Sequence, residues 1–290
     1  MTKKKKQGTY FFGRVIKVGI LANDNFITAL KDGSSVNSNS YRWMITDSLH
    51  KKNNEFEFFY GKLSKYSPEG ETSVIDEDSK LTRDDLTENL AIASAPFVYI
   101  PEFSGICYLR IWNQIDQQTL KNRLKDIVTE YFDKIFVDMD IKDISETIKF
   151  KERVKEFTSI SKIQCQINQP NPLYGDIWKH LKDYLINRKS KDLKITEEAK
   201  GEEGILTRLN SNSDINDEES VNIIDAGIYM ALDGYGEGKI TGKVDGKEKT
   251  ISTKSNAISL KYDTNPDPDD FAQEVYKRFQ EMHEKRGLKH

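Results

Sequence analysis

The sequence is short of cysteine, histidine and long apolar runs, and each shortage removes a class of explanation. Two cysteines in 290 residues cannot build a disulfide framework. Cys107 and Cys165 instead sit in alternating apolar runs, Ile106 to Leu109 and Ile163 to Ile167, where a thiol serves as a small buried hydrophobe. That usage points to a reducing compartment. The four histidines, His50, His180, His283 and His290, are widely separated, and no Cys/His spacing resembles a zinc site. No serine or cysteine stands in a G-x-S-x-G setting. No stretch approaches the length of a membrane span. Lys3 to Lys6 lead into an aromatic and aliphatic run broken by Arg14 and Lys17, not into the continuous apolar core of a signal peptide. A cytoplasmic protein without membrane contact is expected.

A dominant charge of one sign is also missing. The chain has 44 basic and 47 acidic side chains, a formal net charge of -3, but the balance is uneven along its length. Residues 1–66 hold 12 basic and 5 acidic groups, and residues 67–103 hold 2 and 9. Such blocks either pair with each other within the fold or mark a surface for a charged partner. Aromatic residues are plentiful, at 10%, as a chain that buries a core requires.

Periodicity gives the order of elements. Tyr10 to Ile20 alternate as a long strand, and further strands are expected at Tyr41–Thr46, Phe56–Leu63, Phe97–Pro101 and Ile106–Trp112. The acidic stretch Asp76–Glu88 reads as an exposed loop with a short helix. From Leu120 apolar residues recur every three or four positions to Ile135, which predicts an amphipathic helix over 117–135. A strand over Ile163–Ile167 ends at Gln169-Pro170-Asn171-Pro172. A second helix follows through Ile177, Leu181 and Tyr184, and then a strand at Leu193–Thr196. Residues 201–222 form an acidic linker or loop. Strands are expected at Gly227–Asp233, Lys239–Val244, Lys247–Thr253 and Ala257–Tyr262, with Asp245-Gly246 as a tight hairpin turn. Asp267, Pro268, Asp269 and Asp270 open a last helix whose buried face is Phe271, Val275 and Phe279, and Lys285-Arg286-Gly287 closes it. The sum is an α+β fold, a mainly antiparallel sheet system with at least three packed helices. A β-rich part with central helices spans 1–200, and a smaller hairpin-and-helix part spans 223–290, unless the two form a single domain.

Two patterns carry chemistry. In Val137-Asp138-Met139-Asp140-Ile141-Lys142, alternation places Asp138, Asp140 and Lys142 on one face of a short strand. Metal-dependent nucleases use such carboxylates to hold Mg²⁺ and such a lysine to steady the phosphate. A plain solvated face gives the same string. The second pattern is basic. Lys179, Lys182, Arg188, Lys189, Lys191 and Lys194 follow one another at and after the second helix, close to Tyr174, Trp178 and Tyr184. Lys239, Lys243, Lys247, Lys249 and Lys254 mark the late hairpin. They form a phosphate track, or else they cover a helix face and protect edge strands. No cofactor is expected apart from Mg²⁺ in the nuclease case.

The β-rich first third, the strand ending in Pro170-Asn171-Pro172, and Trp178 and Leu181 on the helix after it resemble an uncharacterised bacterial family met among anti-phage defence genes. The likeness covers mainly residues 97–200 and implies a genetic setting without a reaction. Together these features lead to the expectation of a nucleic-acid-binding or sensing component of a bacterial defence system. A Mg²⁺-dependent nuclease using Asp138, Asp140 and Lys142 is the enzymatic alternative, and a non-catalytic protein-interaction subunit of a larger complex is the third.

Overall fold

The structure is a computed structural model that describes residues 6–21, 23–76, 80–135, 137–169, 179–210 and 222–285. Its frame is two antiparallel sheets. The larger contains β1 (Gln7–Gly19), β2 (Val36–Ser38), β3 (Tyr41–Lys52), β4 (Glu57–Asp76), β5 (Leu81–Ile100), β6 (Gly105–Arg110), β7 (Val137–Asp143) and β12 (Ser259–Asp263). Their order is β12-β1-β6-β5-β4-β3-β2, with β7 also on β1. The smaller contains β8 (Ser159–Asn168), β9 (Asp192–Glu198), β10 (Gly236–Val244) and β11 (Lys247–Ser252), in the order β11-β10-β8-β9. Six α-helices complete the α+β fold among the described residues: α1 (Asn23–Asp32), α2 (Gln117–Tyr131), α3 (Thr147–Lys155), α4 (Lys179–Arg188), α5 (Ile223–Met230) and α6 (Pro268–Lys285). None is long and apolar enough to cross a membrane.

β1 organises the larger sheet because it is apolar on both faces, as a strand covered on both sides must be. On one face Tyr10 and Phe12 meet Phe271 and Phe279 of α6, at ring separations of 4.7 and 5.3 Å. On the other lie α1 and α2, with Phe26 of α1 edge-on to Tyr99 of β5. β12 pairs with the first part of β1 and β7 with Gly13–Gly19. The residues of 223–290 thus divide between the sheets: β10 and β11 extend β8, while β12 and α6 pack on the larger sheet.

The capping signals are realised where they are described, and α2 has a cap that its periodicity did not reveal: Asp116 accepts a hydrogen bond from Thr119 N at 2.7 Å. Asp267 Oδ1 accepts from the amides of Asp269 and Asp270 at the start of α6, whose Phe271, Val275 and Phe279 are fully buried. Asp245 and Gly246 both take positive φ, 50° and 76°, as a two-residue hairpin turn requires. The closing Arg286-Gly287, the Pro170-Asn171-Pro172 segment, Tyr174, Trp178 and residues 211–221 lie outside the described residues.

Two expectations need correction. Asp76–Glu88 is not a loop with a helix. β4 and β5, 20 residues each, continue their pairing from Phe59↔Tyr99 out to Asp76↔Leu81 as a two-stranded ribbon. Ladder hydrogen bonding between the strands overrides the low β-propensity of Asp and Glu. Gly227–Asp233 is helix, not strand. Asn222 accepts from Asp225 N at 2.9 Å to cap α5, which then passes into a π turn over Ala231–Tyr235. Every residue from Ile224 to Tyr235 is buried, so the run has no polar side from which a period of 3.6 can be read. Helices α1 and α3 were not anticipated at all.

Candidate nucleic-acid interface

The smaller sheet has one apolar and one polar face. Ile160, Ile163, Cys165 and Ile167 of β8 and Ile240 of β10 are buried in a cluster with Ile224, Ile228 and Leu232. The intervening residues point outward: Gln164 and Gln166 from β8, Lys194 and Thr196 from β9, and Lys239, Thr241 and Lys243 from β10. Register fixes their neighbours. Gln166 lies opposite Lys194, and Gln164 lies between Thr196 and Lys239. Lys194 and Lys239 therefore stand two strands and two residues apart, about 12 Å diagonally across the face. On that face Lys162 is paired with Glu198 at 2.7 Å. Lys194, Lys239 and Lys243 are exposed and hold no ion pair among the described residues.

This face runs into a cleft of about 240 Å³ where the two sheets meet. β7 forms its other wall. Met139 and Ile141 turn into the core, so Asp138, Asp140 and Lys142 share the opposite face and all three line the cleft with Gln166, Asn168 and Glu237. The shared face expected from alternation is present. Its charges are paired with lysines. Asp138 meets Lys125 at 2.6 Å and Lys191 at 2.7 Å. Asp140 meets Lys142 at 2.7 Å, Lys142 reaches Glu237 at 2.7 Å, and Glu237 also meets Lys254 at 2.9 Å. Burial pushes the Asp138 carboxyl up, but the two ammonium groups more than reverse this and hold it below its ordinary range. Glu237 is lowered in the same way by Lys142 and Lys254 against burial. Burial alone would lower Lys142, yet hydrogen bonds to Asp140 and Glu237 leave it raised.

Mg²⁺ fits this donor set poorly. An ion on Asp138 would compete with two lysines and one on Asp140 with a third, and among the described residues no three His, Cys, Asp or Glu side chains are placed to hold a metal.

The other basic candidates divide. Arg188 ends α4 and Lys189 follows it with φ 53°. Both are exposed without an ion pair among the described residues. Lys191 is committed to Asp138. Lys179 and Lys182 belong to α4, and their side chains lie outside the described residues. Lys243 joins the outer face, and Lys247 opens β11 beside it, opposite Val244. Lys125, Gln164, Gln166 and Glu237 were missed as site residues. The alternation of Gln164 and Gln166 with buried Ile163, Cys165 and Ile167 was the signal that gave their face.

A family model described as a domain of unknown function (DUF4747) matches residues 24–283. No curated protein matches the chain.

Proposed function

Because the chain belongs to the DUF4747 family, whose description assigns no activity, the reading has to come from the site, and we propose that this protein binds nucleic acid through the outer face of its smaller sheet. One observation carries this: among the described residues Lys194, Lys239 and Lys243 stand on one polar sheet face without carboxylate partners, while the lysines that line the neighbouring cleft, Lys125, Lys142 and Lys191, are each paired. Free ammonium groups spaced among amides and hydroxyls bind a phosphate backbone by releasing its counterions, without reading sequence. Arg188 and Lys189, just ahead of β9, are exposed as well. The resemblance of residues 97–200 supplies the setting of the proposal, a binding or sensing component of bacterial anti-phage defence in the cytoplasm.

The enzymatic alternative draws on the cleft that continues this face, since Asp138, Asp140 and Lys142 do line it together. One incubation separates the two. With labelled DNA and RNA in Mg²⁺, retention without cleavage is the expected result. Cleavage abolished by chelation and by Asp140→Asn would replace binding with catalysis, and neither retention nor cleavage would leave the protein-interaction subunit.

A further inference from the structure

Alternation along β1 sends Phe11 to the face opposite Ile16 and Val18, so what surrounds Phe11 is a surface separate from the cleft. Thr9 pairs with Arg110 on β6, and the Arg110 guanidinium lies 5.7 Å from the rings of both Phe11 and Trp112. Trp112 stands in the turn after β6 and is 74% exposed, far beyond the usual burial of tryptophan. Two residues on, Gln114 Oε1 accepts from Lys65 Nζ at 3.4 Å. That ammonium sits 4.0 Å from the centre of the Tyr41 ring. Phe11, Arg110, Trp112, Gln114, Lys65 and Tyr41 thus form one continuous stripe, contributed by four strands and a turn, in which rings alternate with cations. Asp116, the carboxylate next along the chain, is engaged in the α2 cap.

We propose that this stripe is a second binding site, specific for single-stranded nucleic acid, with an unpaired base stacked on Trp112 and the backbone phosphates held by Arg110 and Lys65. Rings interleaved with cations on a sheet face hold unpaired bases in just this way, because every base has a π-face and each is followed by a phosphate. Duplex DNA hides its bases in the stack and offers the stripe only phosphates. The inference shares the ligand class of the proposed function but not its residues, so each site can fail alone.

The probes are a short oligothymidine and a blunt duplex, with affinity read by fluorescence anisotropy and base contact by quenching of tryptophan emission. Trp43 is buried, which leaves Trp112 as the exposed reporter among the described residues. The native chain should bind oligothymidine with quenching. Trp112→Ala should weaken that binding by about tenfold or more and leave duplex affinity and the melting temperature unchanged. Trp112→Phe should keep most of the affinity and lose the quenching. Replacing Lys194, Lys239 and Lys243 by alanine should leave the quenching in place. Oligothymidine affinity unaltered by Trp112→Ala overturns the inference. So does failure of the native chain to bind oligothymidine at all, which is the result expected of a protein-docking surface.

Discussion

The guanidinium of Arg14 lies 2.9 Å from Nε2 of His283, joining the first strand to the last helix across 269 positions of sequence. A guanidinium only donates hydrogen bonds, so Nε2 is the acceptor and the imidazole proton sits on Nδ1. Arg14 is fully buried. It also donates to Phe103 O at 2.5 Å and Asp233 O at 3.2 Å, and its charge faces Asp233 Oδ1 at 3.5 Å. The Tyr235 and Phe279 rings lie 5.5 and 5.7 Å away. One side chain therefore ties β1, the π turn and α6 together.

Arg14→Met should cost about 3–5 kcal/mol, because it leaves the Asp233 carboxylate buried without its guanidinium. Arg14→Met combined with Asp233→Leu should recover part of that loss, since both charges are then gone. Urea midpoints of the two variants check this. A double variant no more stable than Arg14→Met would mean that Asp233 is held mainly by other groups.

Phe279→Ala should cost about 3–5 kcal/mol. Its ring is fully buried, packs 5.3 Å from Phe12 and 5.5 Å from Phe103, and would meet any side chain placed at Gly105. Asp267→Ala should cost about 1 kcal/mol through loss of the cap. Thermal melts of both variants give the ratio, and equal losses would mean that the α6 stripe does not carry the helix.

Lys17 sets a pH dependence of its own. Its ammonium reaches the Tyr99 hydroxyl at 3.0 Å, but burial lowers it from 10.5 to about 8. Between these two values the unfolded chain binds a proton that the folded chain has released, so this group's contribution to stability improves as pH rises through that window. Below about pH 8 the cost of burying the charge is present in full. Lys17→Met should therefore be more stable than the native chain at pH 7, with an advantage that shrinks towards pH 10. Denaturant midpoints at the two pH values decide it. A variant less stable at pH 7 would show that the Tyr99 contact outweighs desolvation.

Where local physics sets a boundary, the elements were legible in the sequence. Asp267-Pro268 and Asp245-Gly246 act through their own backbone neighbours, and Asp138, Asp140 and Lys142 share a face because strands alternate. What was illegible depends on partners distant in the chain. Glu237 and Asp140 meet through Lys142, 95 residues from Glu237. The acidic ribbon extends only because β4 and β5 hold each other. Arg14 looks like an interruption of an apolar strand until the π turn and α6 arrive beside it. The lysine face needed the register of β8, β9 and β10, which no local pattern contains. The stripe around Trp112 likewise needed four strands in order.

The salt dependence of duplex affinity, compared between the native chain and a variant with Lys194, Lys239 and Lys243 changed to alanine, tests the phosphate-binding face most directly. The three side chains are exposed, so the melting temperature should not move. Affinity should fall alike for unrelated sequences, and the slope of log affinity against log salt should flatten by about two to three, close to one unit for each lost phosphate contact. A variant with the native affinity and the native slope would contradict the assignment of this face.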